Sequence, residues 1–167
     1  MHVALSGDFF RILYQQDPSR LLAGAISREG RFHHDGQSAL YLSPNPAAAA
    51  RTVAAYVKAN DPPRILARIA LTGAGVINLR DRDTLTVLGL NGTEAATLWR
   101  PQRRAGLAAT SWRASDAARA TGACGMIYTS RDLMSRWHLV LFNWNRATGA
   151  PLGETGLPIR YSVEPDS

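Results

Sequence analysis

The sequence predicts an α+β fold, with mixed, mainly antiparallel sheets and flanking helices. Two observations carry that reading. Strand-like segments outnumber helical ones. Their order is mixed rather than a strict strand–helix alternation. No internal repeat is present. The 167 residues are enough for one domain with a substantial core, and no linker-like stretch divides them. A single domain over residues 1–167 is therefore expected.

The elements follow in chain order. FFRILY (9–14) alternates as a first strand, and SALYLS (38–43) as a second behind a polar turn. NPAAAARTVAAYVKAND (45–61) reads as a helix: Asn45 suits the N-cap, Pro46 the first helical position, and the alanines favour helix. DPPR stops it. ILARIAL and GVINL read as two further strands, with TGAG (72–75) as a hairpin turn between them. DRDTLTVLGL suits a short helix with aspartates near its N-terminus, where the macrodipole favours them. Residues 91–110 read as irregular. SWRASDAARATG (111–122) is a second good helix, closed by Gly122. CGMIYTS, WHLVLFNW and IRYSVE complete the strands.

Composition bounds the function. The chain is 46% hydrophobic and 19% charged, as soluble globular proteins are. Its apolar runs stop well short of the roughly 20 residues that span a bilayer, and its start lacks the pattern of a signal peptide. Cys124, the one cysteine, excludes an internal disulfide framework and sits in an apolar setting. A cytoplasmic location is expected. The net charge is +6, and Lys58 is the only lysine, so the basicity is arginine. Arginine grips planar anions bidentately, so the balance permits a phosphate-bearing ligand, a nucleic acid or an acidic protein partner.

Four stretches carry candidate chemistry. GRFHHDG offers an arginine fork, histidine donors and flexible glycine backbone, which suit an anion; it also reads as a solvated turn. Adjacent histidines on a strand point to opposite faces, and His2 and His138 add no coherent ligand spacing, so no metal is expected. Arg11, inside an apolar strand, must face solvent, a carboxylate or a ligand cleft. Ser130 ends a strand but lies in no nucleophile elbow, so it suits ligand orientation or capping. WRPQRR (99–104) beside Trp99 could track a nucleic-acid backbone or form an ordinary basic surface. Trp137, Phe142 and Trp144 read as core and sheet surface.

In order, FFRI, GRFHHDGQSALYLS, a helix, TGACGMIYTSRD and WHLVLFNW resemble the RES-domain family over roughly residues 8–145. That family carries the text Y-R, then G-G-R-W-N-x-x-G-x-x-x-x-Y-x-S, a helix bearing a glutamate, and G-x-x-Y-x-S before an apolar strand. Arg11 and Arg31 match its two arginines, Tyr41 its tyrosine and Ser130 its late serine. Phe32 replaces the tryptophan and His33 the asparagine. The helix glutamate falls on Thr52, and no carboxylate occurs between Asp35 and Asp61.

The resemblance implies an ADP-ribosyltransferase-like toxin of a bacterial toxin–antitoxin pair. Such a toxin consumes NAD⁺ by hydrolysis, phosphorolysis or ADP-ribosyl transfer, without a metal. Arg11 and Arg31 would hold phosphate, Tyr41 would stack on nicotinamide or ribose, and Ser130 would hydrogen-bond ribose or carboxamide. His33 and Thr52 would line the same site. The implied partner is an Xre-like, DNA-binding antitoxin. A nucleotide-binding module with weakened turnover is the alternative, and a basic nucleic-acid-binding protein a third reading. Should another acid replace the missing glutamate, Glu29, Asp35 and Glu94 are the candidates, and His33 could act as a base.

Overall fold

The computed structural model describes residues 1–15, 20–132, 134–146, 149, 151–154 and 159–161. Its elements are β1 (Val3–Tyr14), β2 (Leu40–Leu42), α1 (Pro46–Ala54), β3 (Arg64–Asn78), α2 (Arg82–Val87), α3 (Trp99–Arg104), α4 (Thr110–Ala120), β4 (Gly125–Thr129), β5 (Trp137–Leu141), β6 (Leu152–Glu154) and β7 (Ile159–Tyr161). The fold is α+β, with a seven-stranded, mostly antiparallel sheet in the order β1-β3-β4-β5-β2.

β3 organises the sheet. One edge pairs with β1 from Val3↔Val76 to Tyr14↔Arg64. Its other edge serves β7, β6 and then β4, the last in parallel. At the far end of the order, Ser43 follows β2 and exchanges two backbone hydrogen bonds of 2.8 Å with Phe10 of β1. The sheet thus curls back on itself and brings Arg11 near Tyr41.

The period-2 alternation of side chains sorts the core. Leu40, Leu42, Leu139, Leu141 and Ile127 pack with Phe9, Leu13, Ile65 and Ile69 on one face. Val140, Met126 and Tyr128, at the intervening positions, pack with Phe32 against Ala114 and Ala118 of α4. Ile12 and Leu66 meet Ala49 of α1 in a third, smaller group. Trp137 and Trp144 pack on the first face, with Cys124 half-buried beside them, and Phe142 lies in the second.

The caps match the sequence. The Asn45 side chain accepts from Ala48 N at 2.8 Å with Pro46 at the first helical position, a cap worth about 1 kcal/mol. Asp81 caps α2 through Thr84 N at 2.9 Å. Gly122 follows α4 at φ +79, in the left-handed region that glycine enters without strain.

Three readings are corrected. TGAG is not a hairpin turn: β3 continues through it. β1 lies alongside both halves, so pairing with one long partner replaces folding back, and a bulge sets Thr72 and Gly73, the latter at φ +57, opposite Ser6. The 91–110 stretch contains α3, whose N-cap Leu98 makes no side-chain cap and so left no start signal. Gln102 instead joins α3 to α4 through Thr110, by bonds of 2.7 and 2.8 Å. β6 was not expected. Of the last expected strand, residues 162–164 lie outside the described residues.

Candidate functional site: an arginine-lined cleft

A cleft of about 720 Å³ opens between β1, β2, α1, the start of α3 and the end of β4. Five of the six candidate residues line it: Arg11, Arg31, Tyr41, Thr52 and Ser130. With Arg51, Arg100 and Arg131, five arginines stand against one carboxylate, Asp132, among the described residues of its wall. Among the described residues neither Arg11 nor Arg31 forms an ion pair with a carboxylate. Such a concave, cationic wall attracts anions.

Arg11 and Arg31 are each held by backbone carbonyls. Arg11 Nη1 donates to the carbonyls of Arg20 (3.2 Å), Leu21 (3.0 Å) and Ala23 (2.9 Å). Burial, then the nearby Arg20 charge, lowers its pKa to about 10, so it stays charged at neutral pH. Arg31 donates from Nε and Nη2 to Ala95 O at 3.2 and 2.6 Å. Its guanidinium lies over the rings of Phe32 and Tyr128, 4.8 and 4.9 Å from their centroids. Burial is the main cause that lowers its pKa, against the attraction of Tyr128.

Tyr41 presents its ring to the cleft and keeps its hydroxyl behind. The hydroxyl accepts from Phe32 N at 3.0 Å and lies 2.9 Å from His33 Nδ1. His33 Nε2 faces the Ser27 carbonyl at 2.9 Å, which only accepts. The Nε2 proton therefore goes to Ser27, and Tyr41 donates to Nδ1. Burial raises the Tyr41 pKa and, outweighing the opposing Ser27 bond, lowers that of His33, so both groups stay neutral.

His33 is the candidate that the cleft does not contain. It is 2% exposed and supports Tyr41 from behind rather than lining the rim. Gly30 explains how it fits: a Cβ there would run into the His33 ring. His34 also points elsewhere, to Asp35 (2.7 Å) and Asp116 (2.8 Å), stacked on Trp112. Glu29, Asp35 and Glu94, the acids considered as replacements, lie outside the cleft lining. Glu29 pairs with Arg103, Asp35 with His34, and buried Glu94 accepts from Asn91 N and Gly92 N to shape the loop that holds Arg31.

Thr52 does face the cleft, from an exposed position on α1, and its hydroxyl donates to Ala49 O at 2.7 Å. Ser130 Oγ hydrogen-bonds Asp132 Oδ1. Asp132 also pairs with Arg136 at 3.0 Å and lies 4.0 Å from Arg51.

Sequence reasoning missed Arg51, Tyr128, Arg131, Asp132 and His138. Two of these had a signal: Tyr128 is the tyrosine of G-x-x-Y-x-S, and Asp132 follows its serine by two positions. His138 is buried against Ser43 (3.1 Å), and burial, then the Arg31 charge, lowers its pKa to about 4.

The WRPQRR cluster does not form a free basic stripe. Arg100 lies over Tyr56 and Trp99, at the cleft, and Arg103 over Trp112 while paired with Glu29. Among the described residues, no three His, Cys, Asp or Glu side chains gather as metal ligands. Nor is any described helix long and apolar enough to cross a membrane.

An α+β sheet curled around one arginine-lined cleft defines the class of protein. The chain belongs to the RES-domain family: the family model described as RES domain matches residues 8–161. Its fold is similar to that in the crystal structure of the M. tuberculosis MbcT–MbcA toxin–antitoxin complex. The TM-score is 0.60 at 16% identity, over 96% of this chain and 87% of that one. No curated protein matches it in sequence.

Proposed function

We propose that this protein is the toxin of a toxin–antitoxin pair and breaks the nicotinamide–ribose bond of NAD⁺. The observation that carries the reading is the cleft, where among the described residues five arginines with one opposing carboxylate surround Tyr41, Tyr128 and Ser130. A dinucleotide with a pyrophosphate, two riboses and two flat rings suits those groups. Arg11 and Arg31 bind phosphate, the Tyr41 ring stacks on nicotinamide or ribose, and Ser130 hydrogen-bonds ribose or carboxamide. Nicotinamide leaves as a neutral molecule from a cationic substrate, so the chemistry needs no metal. Water, phosphate or a protein side chain then takes the ADP-ribose.

The partner is an Xre-like, DNA-binding antitoxin that covers the cleft. The fold shared with a toxin solved together with its antitoxin supports a protein partner. A second reading, a nucleotide-binding module with weakened turnover, is favoured by one observation. Thr52 stands uncharged on the cleft wall, its hydroxyl proton already given to Ala49 O.

Incubation with NAD⁺, with and without phosphate, tests the reading through nicotinamide release. Release supports the enzyme. Binding without release supports the module, and absence of both binding and release overturns the NAD⁺ assignment.

A further inference from the structure

Cleavage of the bond between nicotinamide and ribose builds positive charge on the ribose, and a nearby carboxylate stabilises it. Arginines cannot do this, and α1 has no acid on its cleft-facing turn, where Arg51 and Thr52 sit. Among the described residues one carboxylate lines the cleft, that of Asp132.

Its geometry suits the task. Asp132 sits on the loop after β4, beside Ser130, and its Oδ2 reaches across to within 4.0 Å of Arg51 Nε. The carboxylate therefore stands between the strand end bearing Ser130 and the turn of α1 bearing Thr52. It is half exposed, at 52%, which leaves it open to a ligand. Among the described residues Oδ1 accepts from Ser130 Oγ and Oδ2 from Arg136 Nη1, with Arg51 Nε at the edge of ion-pair range, and each oxygen keeps further accepting capacity.

We infer that Asp132 is the catalytic carboxylate of this cleft, placed by Ser130 and Arg136 to stabilise the ribosyl cation and to orient its hydroxyls. This rests on the NAD⁺ reading above. The Ser130 hydrogen bond, more than the weak opposing burial, holds the carboxyl below its usual range, so it acts as a charge rather than a proton donor. In the step, the bond between ribose C1′ and the nicotinamide nitrogen breaks. Its electron pair goes to that nitrogen, which becomes neutral. A water oxygen then bonds to C1′ and releases one proton to solvent. With phosphate as acceptor, a phosphate oxygen bonds to C1′ instead.

The test pairs calorimetry of NAD⁺ binding with nicotinamide-release kinetics on wild type, Asp132→Asn and Asp132→Asn/Thr52→Glu. Asp132→Asn is expected to lower kcat about 10²–10³-fold. NAD⁺ affinity should be unchanged or tighter, because a negative charge has left an anion site. Thr52→Glu should recover at least tenfold of the lost rate by returning a carboxylate to the facing wall. Unchanged kcat in Asp132→Asn, with wild type active, overturns the role of Asp132 and leaves the NAD⁺ reading standing. A parallel fall of kcat and affinity makes Asp132 a loop-positioning residue and also overturns it. Wild type that binds NAD⁺ and releases no nicotinamide removes the catalytic role. Wild type that does not bind NAD⁺ overturns the underlying reading itself.

Discussion

The hydroxyl of Tyr41 stands 2.9 Å from Nδ1 of His33, behind the wall that its ring presents to the cleft. The ring and the hydroxyl of Tyr41 therefore have separable roles. Tyr41→Phe keeps the ring but leaves Phe32 N–H and His33 Nδ1 without that partner. It should destabilise the fold by about 1–3 kcal/mol and barely change NAD⁺ affinity. Tyr41→Ala should weaken both. Chemical denaturation and calorimetry on the two variants distinguish these effects.

Gly30 should tolerate no side chain. Gly30→Ala pushes a Cβ into the His33 ring, which is clamped between Ser27 and Tyr41. A loss of about 1–3 kcal/mol is expected. Adding His33→Ala should make the glycine substitution nearly neutral, and a double-mutant cycle measures that coupling.

Two histidines set opposite pH responses. Burial opposes charge on His34, but its hydrogen bonds to Asp35 and Asp116 outweigh this and raise its pKa. Its contribution is full below the ordinary histidine pKa of about 6.5 and fades as pH rises through the raised value. His138 is the reverse, lowered to about 4: unfolding protonates it first, so stability falls as pH drops from about 6.5 to 4. Denaturation midpoints across pH 4–8 should show His138→Gln flattening the acid limb and His34→Gln the neutral one.

The proposed antitoxin should associate through charge. The net charge is +6 and the cleft is cationic, so an acidic partner face is expected. Co-expression with the neighbouring open reading frame and pull-down should recover a complex that weakens with salt. Absence of association at low salt rules out that partner.

The sequence carried the scaffold where local rules decide it. Asn45–Pro46 began a helix, Gly122 closed one, and alternation placed Leu40 and Leu42 opposite Tyr41. It failed where long-range pairing decides. TGAG reads as a turn until β1 is known to run beside it, and α3 has no capping side chain to announce it. Motif order picked out Arg11, Arg31, Tyr41, Thr52 and Ser130, and the fold brings these five to one cleft. His33 was misplaced because strand position does not reveal which neighbour captures an imidazole. Arg51 and His138 join the cleft only once α1 faces the β4–β5 loop and β5 lies beside β2, which local spacing does not encode.

The central claim is that the arginine cleft binds NAD⁺. Calorimetry of NAD⁺ and ADP-ribose on wild type and Arg31→Ala tests it most directly. Loss of this partly buried charge should weaken binding of both ligands by about 2–5 kcal/mol. Equal affinity in the two proteins, or no binding by wild type, would contradict the account.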